Sequence, residues 1–359
     1  MAPIYVYAIV EFEGEAVLDE PGLGDDGVTD DGVTDDGVRI VSGDGGLGAV
    51  VSDSPLDDYR GLDRQEAATY LVNHQRVVEA VMKEMTVLPV RFGTVMFDED
   101  AVRGLLQQGR ARFAAALDEF RSETQMEVVV LWDLQKIFGE IGREQEILRL
   151  KDEIEAKPAD ETMPERVAVG QLVQASLLRR RVALQERLLP AMQNVARDIV
   201  VNPPMDDSMV LNAALLVAKE AAEELDDTLD RLDEELHGRL YFRRVGPLPP
   251  YSFANVAVEM PSFADVDAAR ETLGLPVDVT PGEIRQAYRR LAAATHPDHS
   301  PDDPQAEERM AELSQAHKLL SGLAEAQEGH GSGDGRVRLD RDTVEGTLLI
   351  SIQRQETAG

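Results

Sequence analysis

Six residues near the end of the chain have side chains that can act on an acidic protein surface. They are the tripeptide His296, Pro297 and Asp298, within "AAATHPDHSP", and the preceding arginines Arg285, Arg289 and Arg290. Pro297 cannot continue a helix and favours an extended His296, so the tripeptide is predicted to lie in a loop. The arginines share the outward face of the preceding predicted helix, where they form a basic patch that attracts carboxylates.

Other residues that can bind metals or catalyse reactions do not form a convincing set. His296 and His299 can lie near one metal ion, but Pro297 between them makes a turn the favoured interpretation. His74 lies on the apolar face of a predicted helix without a nearby Asp, His and Ser set, which favours a buried, hydrogen-bonded histidine. The chain has no cysteine, no Gly-rich phosphate loop and no paired His–Glu metal signature. We therefore predict no enzyme activity, no cofactor and no metal site.

The charge of the chain limits its partners. Its 359 residues carry a formal net charge of −32. A protein that follows nucleic acid phosphates needs a basic surface, so no nucleic acid partner is expected. The opening "MAPIYVYAIV" has neither a basic segment nor an apolar run long enough for a signal or a membrane span, so we expect a cytoplasmic location and no membrane partner.

Two predicted helices position the tripeptide. In "TPGE" (280–283), the threonine is a helix cap, the proline occupies the first helical position and the glutamate occupies the third. The apolar face of this helix consists of Ile284, Ala287, Tyr288 and Leu291. A second helix is predicted from about Asp303, as an antiparallel partner with apolar positions at Met310, Leu313, Ala316 and Leu320.

The segment "ARETLGLPVDVTPGEIRQAYRRLAAATHPDHSPDDPQAEERMAELSQAHKLL" (269–320) resembles a DnaJ-type J domain. The resemblance implies an all-α helical hairpin over residues 263–326. It also implies that the His-Pro-Asp tripeptide triggers ATP hydrolysis by a DnaK-type chaperone and that the three arginines form the docking surface. Thr295, His299 and Met310 depart from the residues usual in this family, and the short fourth helix is missing. Both an active J domain and one kept for its fold therefore stay open.

Residues 1–133 are predicted to form an α+β domain with helices around one sheet. Strands are expected at 4–12, 46–54, 87–97 and 126–133. Asp63 and Glu66 have the spacing of a capping box at the start of a helix. The Asp-Asp-Gly-Val repeat within 25–38 fits neither an EF-hand nor a nonapeptide calcium motif, so an expanded surface loop is favoured over a metal loop.

The remaining segments are predicted from their periodicity. Residues 134–239 are expected to be helical, ending in a helical hairpin or coiled-coil-like stripe marked by Leu211, Leu215, Ala218, Ala222, Leu225, Leu229, Leu232 and Leu236. The acidic face of this predicted helix has two possible explanations, namely solubility or binding of a charged partner. Residues 240–262 and 336–355 are predicted as a small C-terminal β region that includes a hairpin, and 327–335 as a flexible linker. The predicted fold class is therefore α+β with an added all-α J-like hairpin.

A second resemblance covers most of the chain outside the J-like segment. These segments resemble gas vesicle accessory proteins of the F/L type. The resemblance is carried by five strings: "YVYAIVE" (5–11), "VNHQRVVEAVMKEMTVLPVRFGTVMF" (72–97), "VVVLWD" (128–133), "SMVLNAALLVAKE" (208–220) and "LYFRRVGPLPPYSFANV" (240–256). This resemblance implies an assembly factor, associated with gas vesicles, that contacts the hydrophobic shell protein and other accessory proteins. The family strings contain residues that are either structural or partner contacts: Arg91, Phe92, Gly93, Pro247, Pro249, Pro250 and Tyr251.

Together, the two resemblances predict a protein that holds the shell subunit and recruits a DnaK-type chaperone to it. A strongly acidic surface keeps such a complex soluble, because the shell subunit exposes apolar surface before assembly. The alternative is a general J-domain co-chaperone whose acidic body binds varied clients.

Overall fold

A computed structural model describes residues 2–12, 16–17, 37–158, 161–295, 306–328 and 335–357. The chain divides into two compact units. The first comprises Met1–Asp118 and Ala254–Gln353, and the second comprises Glu119–Phe253 and Arg354–Gly359. Both units combine helices with antiparallel strand pairs, which confirms the predicted α+β class.

The first unit begins with a sheet in the order β2-β3-β4-β1-β5, and β6 pairs with the start of β1. Its strands are β1 (Ile4–Glu11), β2 (Ala16–Val17), β3 (Arg39–Ser42), β4 (Leu47–Asp53), β5 (Val87–Pro89) and β6 (Val95–Met96). The sheet is accompanied by α1 (Arg64–Met82) and α2 (Glu99–Phe120). Seven consecutive residues of β1 are buried, as expected for a central strand covered on both faces. The predicted capping box of Asp63 and Glu66 is confirmed at the start of α1.

The second unit contains a four-stranded antiparallel sheet in the order β10-β7-β9-β8. Its elements are β7 (Glu123–Trp132), α3 (Leu134–Ile141), α4 (Gln145–Glu155), α5 (Met163–Gln193), β8 (Asp198–Val201), β9 (Met209–Ala218), α6 (Ala222–Glu235) and β10 (Leu240–Leu248). Buried residues of the sheet and of the four helices form one apolar core.

Two sequence predictions are wrong in this unit. Leu211 and Leu215 lie in strand β9, so only the second half of the predicted leucine stripe is helical, in α6. Strand β9 pairs with strands on both sides and is buried almost throughout, which removes the polar alternation that marks a strand in sequence. The strand predicted at 126–133 does not join the N-terminal sheet, because β7 pairs with β9 and β10.

The chain then returns to the first unit. Its last elements are β11 (Asn255–Glu259), α7 (Phe263–Leu273), β12 (Asp278–Val279), α8 (Pro281–Thr295), α9 (Ala306–Glu328), β13 (Val337–Arg338), α10 (Arg341–Glu345) and β14 (Leu349–Gln353). The hairpin predicted at the C-terminus is wrong, because α10 separates β13 from β14. Strand β13 pairs with β12, and β14 pairs with β11.

The predicted division at residues 133, 239 and 262 differs from the division into compact units, whose boundaries in the sequence fall at 118/119, 253/254 and 353/354. Most of the Asp-Gly repeat at 25–38 lies outside the described residues, and so do positions 329–334 of the segment predicted as a linker. Both assignments stay predictions. Glu328 is the last residue of α9, two residues beyond the predicted end of the J-like segment.

Candidate functional site

Helix α8 begins where the sequence predicts it, at a reciprocal cap. The Thr280 hydroxyl accepts a hydrogen bond from the Glu283 backbone N–H at 3.2 Å, and Glu283 Oε2 accepts one from the Thr280 backbone N–H at 2.7 Å. Hydrogen bonds from the Thr280 backbone N–H and then from its hydroxyl lower the pKa of Glu283, because they favour the ionised carboxylate. The cap therefore fixes the start and direction of α8.

One face of α8 packs against α9. Ile284 and Ala287 are buried, and the ring of Tyr288 stacks on His317 with 4.3 Å between ring centroids. The Tyr288 hydroxyl lies 3.4 Å from Ser314 Oγ. These contacts fix the rotation of α8 about its axis, and so they determine which residues face solvent.

The opposite face of α8 carries the three predicted docking residues. Arg285, Arg289 and Arg290 are all exposed, and none forms an ion pair with any residue that the structure describes. Other arginines of this acidic chain do pair with carboxylates, for example Arg39 with Asp53 and Arg270 with Asp267. We call Arg285, Arg289 and Arg290 the arginine face. Among the described residues, no carboxylate neutralises these guanidinium groups, and a basic face of this kind attracts an acidic partner.

The predicted trigger, His296, Pro297 and Asp298, lies outside the described residues, as does His299. It follows directly in sequence on Thr295, the last residue of α8. The assignment of these three residues as a trigger stays a prediction.

The core beneath α8 is completed by a segment that the sequence did not indicate as part of the J-like region. Val337, Leu339 and Val344 are buried in the same apolar cluster as α7, α8 and α9. We call residues 336–350 the C-terminal strap. Gln327 at the end of α9 donates through Nε2 to the Arg338 carbonyl and accepts through Oε1 from the Arg338 N–H, both at 2.9 Å. The alternation of Val337 and Leu339 with arginines was the only sequence signal for this role.

The strap also contacts helix α2. Gln108 Oε1 accepts a hydrogen bond from the Leu348 N–H at 2.9 Å, and Gln108 Nε2 donates to the Gly346 carbonyl at 3.2 Å. Arg112 donates to the Ile350 carbonyl. Within the first unit, the J-like helices are therefore attached to the N-terminal helix-and-sheet core through the strap as well as through β11.

The string "LPVRFGT" forms β5 and the turn after it. The Arg91 N–H donates to the Val256 carbonyl at 2.8 Å, and the Arg91 side chain lies 3.3 Å from Glu259. Thr94 Oγ1 donates to the Arg91 carbonyl at 2.6 Å, which closes the turn. Gly93 has φ +83°, and a Cβ there would lie 3.1 Å from Tyr59 Cβ. The turn requires glycine for both reasons.

This turn is attached to an aromatic cluster of buried and half-buried rings. The cluster contains the rings of Tyr5, Tyr7, Tyr59, Tyr70, His74 and Phe92. Tyr5 Oη accepts a hydrogen bond from the Gly93 N–H and lies 3.0 Å from His74 Nδ1. Burial lowers the pKa of His74 to about 4, so the ring is neutral near pH 7 and accepts a proton poorly. The prediction that His74 is a buried, hydrogen-bonded histidine is confirmed.

The string "GPLPPYSF" forms the end of β10 and the turn that follows. Pro249 and Pro250 are buried and Tyr251 is half-buried, whereas Pro247 is exposed. The Ser252 N–H donates to Gln125 Oε1 at 2.9 Å, and Thr124 Oγ1 donates to the Leu248 carbonyl at 3.3 Å. Most family-motif residues therefore make internal contacts, and only Arg91 and Pro247 are exposed. Their role as partner contacts stays a prediction.

Within the described ranges, no group of three or more His, Cys, Asp or Glu side chains has the arrangement of a metal site. None of the helices in those ranges is both long enough and apolar enough to cross a membrane.

Comparison with known families finds two matches in this chain. Residues 3–255 match the family described as "Gas vesicle synthesis protein GvpL/GvpF", and residues 271–327 match the DnaJ domain. The second match includes all of α8, the His-Pro-Asp tripeptide and most of α9.

Individual proteins show the same two similarities. Gas vesicle protein F of a Nostoc species is 26% identical over 191 residues, covering 52% of this chain and 78% of that protein. Chaperone protein DnaJ 2 of Mycolicibacterium paratuberculosis is 48% identical over 56 residues, but these are only 14% of its length. The crystal structure of GvpF from Anabaena superposes with a TM-score of 0.56 at 23% identity, covering 70% of this chain and 98% of that one. This structural similarity supports the fold.

Proposed function

We propose a chaperone-coupled assembly role for this chain, which belongs to the GvpL/GvpF family of gas vesicle synthesis proteins and contains a DnaJ domain at residues 271–327. Its GvpF-type body binds the hydrophobic shell protein and other gas vesicle accessory proteins. Its DnaJ domain recruits a DnaK-type chaperone to the bound shell subunit. ATP hydrolysis belongs to the chaperone, and the chain itself has no catalytic role.

The observation that carries this proposal is the arginine face of α8. Three exposed guanidinium groups without ion-pair partners in the described structure stand on a capped helix, immediately before the His-Pro-Asp sequence. In a chain with a net charge of −32, a basic surface that no described carboxylate neutralises gives an acidic chaperone an attractive docking place. Arg285, Arg289 and Arg290 are the docking residues, and His296, Pro297 and Asp298 are the trigger.

A further feature supports the client-binding half of the proposal. The long helix α5 has a stripe of exposed apolar side chains, formed by Met163, Val167, Leu178 and Val182. At helical spacing these four residues fall within about 100° around the axis, a width typical of a packing face. An apolar stripe of this kind fits a client whose own apolar surface is exposed before assembly.

Covalent attachment explains why the two activities share one chain. A chaperone bound to the DnaJ domain meets a shell subunit on the same molecule at an effective concentration on the order of millimolar. The strap contacts with α2 hold the DnaJ domain against the N-terminal core of the first unit. The client is therefore delivered without a separate co-chaperone.

The test reverses charge on the arginine face in the full-length protein. Arg289→Glu with Arg290→Glu should reduce stimulation of the DnaK-type chaperone at least tenfold and lower gas vesicle yield when the chaperone is limiting. The matched control, Arg64→Glu with Arg143→Glu, makes the same charge change at exposed sites outside the DnaJ domain and should behave as wild type. Equal stimulation by both double variants would contradict the docking role.

The client half is tested separately by co-purification of the shell protein. Leu178→Asp should reduce its recovery several-fold, whereas Ala183→Asp, which adds the same charge at an exposed position of the same helix outside the stripe, should have a smaller effect. Selective recovery of the shell protein over unrelated unfolded proteins is expected. Equal suppression of aggregation for unrelated clients would favour a general co-chaperone.

A further inference from the structure

The four-stranded sheet of the second unit has two unlike edges. At one edge, strand β8 is covered by Arg354, whose guanidinium donates to the Ile199 carbonyl at 3.2 Å and to both carboxylate oxygens of Asp198 at 2.8 Å. At the other edge lies β10, which is nine residues long and, among the strands that the structure describes, pairs with β7 alone. The edge formed by β10 is the longer and the more open of the two.

The outer backbone groups of β10 can be identified from the pairing of β7. The Trp132 N–H donates to the Ser208 carbonyl on the β9 side. Because backbone groups alternate in direction along a strand, Leu131, Val129 and Glu127 then face β10. Their partners on β10 are Tyr241, Arg243 and Val245.

The alternate residues Leu240, Phe242 and Arg244 therefore direct their N–H and C=O groups away from the sheet. Within the described part of the chain, none of these backbone groups has a hydrogen-bond partner. Such a row of donors and acceptors is a template for an added strand.

The side chains of β10 specify which kind of strand fits. Tyr241 is 65% exposed, Val245 is 36% exposed, and Arg243 stands exposed between them on the same face. Arg243 forms no ion pair with a described residue, whereas Arg244 on the other face pairs with Asp226. Glu127, on the neighbouring strand, accepts a hydrogen bond from Gln125 Nε2 at 3.4 Å. An added strand would therefore lie beside Tyr241, Arg243 and Val245, which present an apolar, a basic and an apolar side chain in that order.

We propose that the outer edge of β10 binds an extended segment of a partner polypeptide in which an acidic residue stands between two apolar residues at alternate positions. The backbone of that segment pairs with Leu240, Phe242 and Arg244, its carboxylate faces Arg243, and its apolar residues cover Tyr241 and Val245. This surface is distinct from the arginine face and does not depend on the proposed chaperone coupling.

A second copy of the chain meets two obstacles at this edge. Antiparallel pairing of two β10 strands about Arg243 or Arg244 places the same arginine of both copies opposite each other, which is destabilising. Two chains with a net charge of −32 also repel each other. An acidic partner segment removes the first problem because it neutralises Arg243.

The experiment uses the full-length protein and a labelled synthetic peptide, Thr-Val-Thr-Glu-Thr-Leu-Thr, in a fluorescence anisotropy titration. Wild type should bind it saturably, and Arg243→Glu should bind it at least tenfold more weakly. The matched control Arg143→Glu changes an exposed arginine of the same unit and should bind as wild type. A peptide with N-methyl groups on its three central residues lacks the backbone donors and should not bind.

Each contrary result overturns the proposal. Absence of saturable binding by wild type would show that the edge accepts no such strand. Equal binding by Arg243→Glu would show that the peptide carboxylate does not bind Arg243. Equal binding of the N-methylated peptide would show that the peptide does not pair with β10 as an added strand. Concentration-dependent dimerisation that the peptide does not displace would identify a second copy as the occupant.

Discussion

The N-terminal core and the DnaJ domain use their most conspicuous residues in opposite ways. In the N-terminal core, Phe92, Gly93 and His74 contact one another or the same tyrosines in the interior, and His74 is buried and hydrogen-bonded. In the DnaJ domain, Arg285 and Arg289 face solvent without an ion-pair partner in the described structure. The first set holds a fold together, and the second is left available for another molecule.

The two regions also differ in how they complete their cores. Strands β1 to β6 and helix α1 all come from the first 118 residues of the chain, and β11 is joined to them by the backbone hydrogen bond from Arg91 to Val256. The DnaJ helices bury Leu339 and Val344 from the strap, which follows α9 in sequence. A long motif in sequence therefore does not identify a binding site by itself. Residues available to another molecule are distinguished from residues that hold the fold together by their exposure and by their lack of partners among the described residues.

The largest predicted effect concerns the strap. Leu339 is 1% exposed, and Leu339→Ala should destabilise the DnaJ helices by about 2–5 kcal/mol, because it removes buried methyl groups and leaves a cavity. Hydrogen exchange followed by mass spectrometry should show lost protection in α7, α8 and α9 while β1 and α1 stay protected. The control Val277→Ala changes a side chain that is 49% exposed in the same domain and should have little effect. Unchanged protection in Leu339→Ala would show that the strap is not part of the domain.

The next effect tests the buried cluster through pH. The pKa of His74 is about 4 in the folded protein and about 6.5 when unfolded, so the unfolded state binds its proton first as the pH falls. The contribution of His74 to stability is complete above pH 6.5 and is lost between pH 6.5 and 4, by about 3 kcal/mol in total. Urea denaturation of wild type and of His74→Gln between pH 7 and 4 measures the difference.

The His74→Gln variant should be less stable than wild type at pH 7, and its stability should depend less on pH. His237→Asn serves as the control, because His237 is exposed with φ 57°, a backbone conformation that asparagine tolerates. The control should keep the pH dependence of wild type. Parallel curves for wild type and His74→Gln would mean that His74 titrates normally and that the cluster is not closed.

A smaller effect is expected at the turn after β5. Gly93→Ala should lower the free energy of unfolding by about 1–3 kcal/mol, because φ +83° disfavours a side chain and the new Cβ would approach Tyr59. Gly104→Ala is the matched control, and its expected effect on the free energy of unfolding has the opposite sign. It lies inside α2 with open space around its Cβ position, and alanine there should stabilise the protein by up to about 1 kcal/mol. Equal effects of the two substitutions would show that the turn does not require glycine.

Local signals in the sequence predicted the elements of both regions well. The caps at Asp63 and Thr280 were identified from their spacing, since a side-chain cap depends only on residues three positions apart. The apolar face of α8 was identified for the same reason, and Ile284 and Ala287 are buried.

Features that depend on long-range pairing were not predictable in this way. The run that contains Leu211 and Leu215 fits helical spacing, but its strand is buried between two neighbours, and burial removed the alternation that would have indicated β structure. The partners of β7 are about 80 to 120 residues away in sequence and were assigned to the wrong sheet. The pairing of Gln108 with Leu348 has no local signal. For the candidate site, helical spacing predicts the outward position of the arginine face, and the exposure of its three residues confirms it, whereas the strap beneath it was found only in the structure.

The central claim is that the sequence around His296 acts on a chaperone, and single-turnover ATP hydrolysis tests it most directly. The host's DnaK-type chaperone, loaded with labelled ATP, is mixed with the intact protein or with His296→Gln. We expect the intact protein to accelerate hydrolysis and His296→Gln to abolish the acceleration, with hydrogen exchange of α8 and α9 unchanged. Equal rates with the intact protein, the variant and no added protein would contradict the account and would limit the DnaJ domain to a structural role.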